Sequence, residues 1–329
     1  MPPSDSLSKQ NRTVAIVALL IILLLVNGIL LCTIHARNQQ SYYAALTDKI
    51  EILTSTESPR IIIVGGSNTA FGIDSELFQK ESGYNVVNMG LNGNLGMRFM
   101  LHTIEPSLQQ GDIVLIMPEF DSILGTFESI GPAYVQVLLT NPSLAQYIHS
   151  PQEIYYFLKL FPYTYTEAIK TMISDYFKKG CIVCENEEPI YYRTAFNQYG
   201  DIVSHENIHP IWEIGHIYLS VTEDDHNVQR FIDILNDFAR RTLVKDITVL
   251  LTYPPTPSAG DQRTMNMLTL LDTMLTSELQ IEVISKPEEA WYSRALFFDK
   301  PYHLNIEGRE LNTQRIIQQI SPSLTDAGE

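Results

Sequence analysis

From Val14 to Ile34 the chain carries 21 consecutive uncharged residues, VAIVALLIILLLVNGILLCTI. At about 1.5 Å per residue a helix of that length spans about 31 Å, the thickness of a bilayer hydrocarbon core. Its only strongly polar member is Asn27. A cleaved signal peptide has an apolar region of roughly 7–15 residues followed by a small-x-small site, and this run is longer and lacks one. Leu30 and Leu31 stand where a lipid-attachment cysteine at Cys32 would want small residues. A buried core helix is the bland account, but a run this apolar at a chain end has no evident partner. The expectation is a retained single-pass anchor over residues 14–34, preceded by a short cytoplasmic head, residues 1–13. Lys9 and Arg12 precede the span and Arg37 follows it, so the charge bias across it is weak. The short polar head and long acidic body favour an extracytoplasmic body on the inner (plasma) membrane.

That body is acidic, with 38 Asp and Glu against 22 Lys and Arg, a formal net charge of −16. Such a balance argues against nucleic acid as a partner, because phosphates are repelled rather than neutralised. With 45% apolar and 18% charged residues the composition is that of a globular chain, not of a disordered or collagen-like one. Three cysteines, Cys32, Cys181 and Cys184, are too few for a disulfide-built scaffold.

Residues 35–58 read as a polar, partly helical connector, and a hydrolase-like domain is expected over 59–329. Arg60-IIIVGG is a continuous β-branched run ending in glycines, the pattern of a strand buried on both faces. Comparable runs are Tyr84-NVVNM, Asp112-IVLIM, Asp246-ITVLLTY and Ile281-EVIS, with helical patterns such as 95–104 and 229–243 between them. The alternation predicts an α/β fold with a doubly wound, mostly parallel five-stranded sheet, whose site lies beyond the carboxyl ends of the strands. A long Tyr- and Phe-rich insertion, about 121–235, is expected to be a helical cap on the sheet or a lid lining a groove.

Three segments at predicted strand ends carry the chemistry. The first strand runs into Gly65-Gly66-Ser67-Asn68, which puts the Ser67 hydroxyl at the start of a helix, where backbone N–H groups are free. A serine needs an adjacent base to become a nucleophile, and a Gly-Gly-Ser turn alone is more often a loop or cap. After the second strand comes Asn88-Met-Gly90-Leu-Asn92-Gly93-Asn94. There the Gly90 N–H, or the side chains of Asn92 or Asn94, could hold an oxyanion together with the Ser67 N–H; a turn is the plainer account. Near the end stands Phe297-Phe-Asp299-Lys-Pro-Tyr-His303-Leu-Asn305, with Asn305 a plausible helix cap. His303 would accept the serine proton and Asp299 would fix its tautomer, the logic of a Ser-His-Asp triad.

GGSNTAFGID, NMGLNG and FDKPYHLNIEG resemble the SGNH/GDSL hydrolase superfamily, in particular its membrane-anchored bacterial branch of DltD-like and alginate-acetylation proteins. The IYYRTAFNQYGD segment at 190–201 also looks like a stretch common in such anchored proteins. The resemblance implies a flavodoxin-like sheet, Ser67 as nucleophile, Gly90 as an oxyanion-hole donor, and Asp299 and His303 as the rest of the triad. It implies no metal or organic cofactor. It further implies a cell-envelope glycan or acyl donor as substrate and a membrane acyltransferase as a partner. Two departures stand out. The family's third block carries an Asn donor in a Gly-x-Asn-Asp context, whereas here the third strand runs into Pro118-Glu119-Phe120-Asp121. Glu119 could orient a group or bind substrate. Asp299 and His303 are also separated by three residues instead of two.

The leading expectation is therefore an anchored serine esterase or O-acyltransferase acting on acyl esters of a cell-envelope polysaccharide. Its rival is a catalytically inactive glycan-binding or assembly protein on the same scaffold, favoured by the missing Asn. Cys181-Ile-Val-Cys184 suggests a local disulfide outside the membrane. Zinc would want four ligands and finds no second Cys pair, and thiol redox catalysis is the remaining alternative.

Overall fold

The computed structural model describes residues 4–125, 129–183, 189–209, 214–215, 217, 219–258 and 262–326. Helix α1 (Ser4–Asn38) is long and apolar enough to cross a membrane. Its residues 11–29 are exposed, and Ile34 is fully buried against the body.

In the body, α2 (Ala45–Ser55) leads to β1 (Arg60–Gly65), α3 (Ser67–Gly72), α4 (Ser75–Ser82) and β2 (Asn85–Asn88). Then come α5 (Met97–Ile104), β3 (Ile113–Met117), α6 (Phe120–Leu124), α7 (Pro132–Thr140) and α8 (Pro151–Lys179). The chain ends with α9 (His226–Leu243), β4 (Thr248–Leu251), β5 (Thr256–Pro257), α10 (Gln262–Glu278), β6 (Glu282–Val283), β7 (Trp291–Tyr292) and α11 (Ile306–Asp326).

Five strands form one all-parallel sheet in the order β2-β1-β3-β4-β6, and β5 pairs with β7 apart from it. Every predicted strand run supplies one of the five, and the central ones are buried on both faces. Ile62, Val64, Val114 and Ile116 point to one face, under α5 and α9. Ile61, Ile63, Ile113 and Leu115 point to the other, against Phe78 of α4 and Ile316 and Ile320 of α11. The last strand is shorter than Ile281-EVIS suggested, with only Glu282 and Val283 paired.

Two expected boundaries move. The 35–58 connector is part of the core: Tyr42, Ala45, Leu46 and Leu53 are buried in the main cluster, and α2 packs on β2 and α5. The polar letters in that stretch hide an apolar face at helical spacing. The insertion also ends before 226, because α9 is a regular sheet-covering helix burying Phe231, Leu235 and Phe238. Tyr134, Val135 and Val137 of α7 likewise belong to the main core. That half of the insertion is packed body, not a cap.

Arg60 and Asp112, both fully buried, open β1 and β3 as an ion pair at 3.1 Å. The Asp112 carboxylate also accepts the Arg60 and Gln109 N–H groups, while the guanidinium donates to the Leu53, Thr56 and Ser107 carbonyls. Removing one partner strands the other charge without solvent. Arg60→Met is therefore expected to destabilise the chain by about 3–5 kcal/mol, read by denaturant unfolding in detergent.

Candidate active site

The parallel register sets Gly65 at the end of β1 beside Met117 at the end of β3. Gly66 then turns the chain into α3, with Ser67 as its first residue. The Asn68 side-chain amide donates to the Met117 carbonyl at 2.8 Å, tying this turn to the end of β3. Space is tight: a Cβ on Gly66 would lie 2.4 Å from Glu119 Oε1 and 2.7 Å from the Gly93 nitrogen. A Cβ on Gly93 would lie 2.6 Å from Glu119 Oε2. Both positions need glycine for close approach to one carboxyl group.

His303 reaches Ser67 across 236 residues of sequence, with Nε2 2.8 Å from Oγ. Its Nδ1 lies 2.7 Å from Asp299 Oδ1. The extra residue between Asp299 and His303 is absorbed by a tight turn, closed by Phe298 N–H donating to the His303 carbonyl and His303 N–H donating to the Lys300 carbonyl. Tyr302 holds that turn with a left-handed φ of 75°, uncommon for a residue with a side chain. Its hydroxyl accepts the Phe120 N–H, joining the turn to the loop that carries Glu119. Asn305 caps α11 through the Gly308 N–H, as its position suggested. The Phe71 ring, one turn along α3 from Ser67, stacks flat on the imidazole with centroids 4.1 Å apart.

Burial by itself would raise the Asp299 carboxyl. The His303 ring, the Tyr191 hydroxyl bonded to Oδ2 and the nearby Lys300 ammonium outweigh it, so the group lies below its ordinary value. Asp299 thus stays ionised and directs the Nδ1 proton toward itself, leaving Nε2 as an acceptor.

Glu119, unassigned from sequence, lies in direct contact with the serine: its Oε1 is 3.0 Å from Ser67 Oγ and accepts the Asn68 N–H at 3.2 Å. A hydroxyl has one proton to donate. If Ser67 gives it to His303, the contact with Glu119 is a hydrogen bond only when the carboxyl brings its own proton. Burial pushes the Glu119 carboxyl up, opposed by His303, the Asn68 N–H and the Ser67 hydroxyl. The two contacts at Ser67 Oγ compete for one hydroxyl proton unless the Glu119 carboxyl supplies a second.

The oxyanion candidates divide. Gly90 N–H, expected in the oxyanion hole, donates to Asn88 Oδ1 at 2.9 Å. A Cβ on Gly90 would lie 2.5 Å from Thr69 Cβ, so this glycine serves the packing of its loop on α3. The Asn94 side-chain amide donates to the Ser129 carbonyl, and its N–H to Asn92 Oδ1. Asn92 keeps its amide nitrogen without an acceptor among the described residues, and it lines the same cleft as Ser67 and His303. That cleft measures about 990 Å³ and is walled by Tyr43, Tyr191 and Lys300 as well. Cys181 is disulfide-bonded and Cys32 is free; Cys184 lies outside the described residues.

The 190–201 segment supplies what the triad alone does not. Besides Tyr191, it offers Arg193 in a bidentate pair with Asp48 of α2. Asp201 accepts from Ser75 and from the Asn88 side chain, bracing the loop after β2. Lys49 donates to the Asn88 and Gly200 carbonyls. The signal for Lys49 was its place at 46-49-53 spacing, on the apolar face of α2 between two leucines. No known protein family, curated protein or solved structure matches the chain.

Burial holds the Lys49 ammonium down at about 7, with Asp201 pulling the other way. The unfolded chain keeps that lysine protonated up to about 10.4. Between those values the unfolded state binds more protons, so stability rises with pH through that window and is flat with respect to this group below it. Thermal melting of the detergent-solubilised chain is expected to shift upward from pH 7 to 9, and Lys49→Met is expected to flatten that rise.

Proposed function

We propose that this chain is a membrane-anchored serine esterase or O-acyltransferase that acts on acyl esters of a cell-envelope polysaccharide. The observation that carries this reading is the continuous Ser67–His303–Asp299 hydrogen-bond chain opening into a large cleft. In the acylation step Ser67 Oγ attacks the acyl carbonyl while its proton passes to His303 Nε2. The carbonyl oxygen takes the developing charge, which the Ser67 N–H and the Asn92 side-chain amide are disposed to meet. His303 then returns the proton to the departing alkoxide, leaving an acyl-Ser67 ester. Water or a sugar hydroxyl enters next, activated by the same imidazole, so hydrolysis and transfer share one intermediate.

Anchoring rests on α1, whose apolar side chains lie open to the surroundings. An extracytoplasmic body is supported by the Cys181 disulfide, since such bonds persist in oxidising compartments. The acidic body suits a neutral sugar ester better than an anionic substrate.

Two experiments test the reading. A fluorophosphonate probe is expected to label Ser67 in the detergent-solubilised full chain, and Ser67→Ala to lose both label and hydrolysis of a short acyl ester. An unlabelled wild-type chain that still binds glycan would instead favour a non-catalytic binding protein. For Glu119, the Gln variant retains a donor toward Ser67 and should keep kcat within about tenfold, whereas Glu119→Ala is expected to lose about 10²-fold. As pH rises, ionisation of Glu119 draws the serine proton away from His303, so wild-type rate should fall on that limb while the Gln variant does not follow it.

A further inference from the structure

The Asp299 carboxylate has two oxygens and bonds one of them, Oδ1, to the His303 ring. Its side chain is only 9% exposed, so bulk water is a poor partner for the other. The torsion that sets a carboxylate plane is broad and roughly two-fold. An aspartate held through one oxygen can therefore rock about that bond and carry the imidazole with it. The chain supplies a partner for Oδ2 from outside the loop, the hydroxyl of Tyr191, 108 residues upstream. An ionised carboxylate only accepts, so the phenol donates. The same hydroxyl oxygen lies 3.3 Å from His303 Nδ1, beside the junction of acid and base.

The phenol is itself held in place. Its ring meets Tyr42 edge-on at 5.6 Å and lies 6.0 Å from Phe71, the ring stacked on His303. The Lys300 ammonium lies over it, 4.7 Å from the ring centroid. Hydrogen bonds pin the chain on both sides. The Ile190 carbonyl accepts the Ser204 hydroxyl, Tyr192 bridges to Ser41, and the Arg193 N–H donates to the Gln40 carbonyl. The Arg193 guanidinium grips Asp48 with two hydrogen bonds. With ring and backbone both fixed, the hydroxyl has little freedom left. That rigidity is what a support for a reacting group requires.

We infer that Tyr191 is a positioning residue: by holding Asp299 Oδ2 it locks the carboxylate plane and keeps His303 aligned on Ser67. It acts through Asp299 instead of on the ester itself. Tyr191 also walls the cleft, so a contact with substrate is the rival account. The two differ in what they change. Support of the acid–base pair governs kcat and the pH dependence, whereas a wall contact governs KM. This inference rests on the reading of Ser67, His303 and Asp299 as a working triad.

The test is Tyr191→Phe in the detergent-solubilised full chain, which removes the hydroxyl and keeps the ring with its packing. For a short acyl ester kcat should fall by about tenfold to 10²-fold, with KM close to the parent value. With one donor gone, the Asp299 charge acts more fully on the imidazole and favours its protonated form. The acid limb of the kcat/KM profile should therefore move to higher pH. Adding Tyr191→Phe to Asp299→Ala should bring no further loss, because the group through which the hydroxyl acts is already gone. A raised KM at parent kcat overturns the inference, and so does a full extra loss in the Asp299→Ala background. A nuclear magnetic resonance titration of the chain carrying isotope-labelled histidine reads the same effect without turnover. The His303 ring signal, assigned by its absence in His303→Gln, should change its midpoint in Tyr191→Phe; an unmoved midpoint overturns the inference. If the parent neither hydrolyses the ester nor takes a fluorophosphonate, the serine-enzyme reading fails, while the titration still decides whether Tyr191 governs the Asp299–His303 pair.

Discussion

Side-by-side delivery of two strand ends governs this site. Because β1 and β3 are neighbours in register, Gly65 and Met117 lie opposite each other, and the loops that follow must share one small volume. Ser67 comes from one loop and Glu119 from the other. The glycines at 66 and 93 exist where a single methyl group on either would collide with the Glu119 carboxyl. Drawing an ionisable group out of solvent is unfavourable unless it is neutral or fully bonded. The carboxyl accepts the Asn68 N–H and lies in hydrogen-bond contact with the serine hydroxyl.

The sheet was legible because parallel strands buried on both faces leave unbroken aliphatic runs, and 61–64 or 113–117 have no other plausible use. Ser67, Asp299 and His303 were legible because each stands just past a strand or before a helix, in an order that a parallel sheet folds together. The partner of the Gly90 amide was not. It depends on Asn88 turning its side chain back into its own loop, a choice settled by Asp201 more than a hundred residues away. Lys49 was overlooked for a related reason. A lysine reads as solvated until one sees that carbonyls of Asn88 and Gly200 await it in the core. Tyr191 shows the opposite case, in which a recognisable segment was visible but its contact with Asp299 needed the fold.

The junction between α1 and the body is not a flexible tether. Helix α1 continues to Asn38, Ile34 is buried, and the chain enters the core at Tyr42, whose hydroxyl donates to the Leu91 carbonyl beneath the cleft. Gln39 donates to the Thr140 carbonyl at the end of α7, and Arg193 donates to the Gln39 carbonyl. The site is therefore held at a fixed height over the end of α1, and its reach is set by geometry instead of linker length.

The flat stack of Phe71 on His303 has a stereochemical consequence. One face of the imidazole is covered by a ring from the helix that carries Ser67, and Nδ1 is engaged by Asp299, so the ring is held in one orientation. In the proposed reaction a proton would return along the line from Nε2 into the cleft. In that proposed reaction an incoming or outgoing alcohol would present its oxygen in the plane of the ring, on the open side. Acceptors would thus be sorted by the angle at which their hydroxyl projects, before any contact with the remainder of the molecule is made.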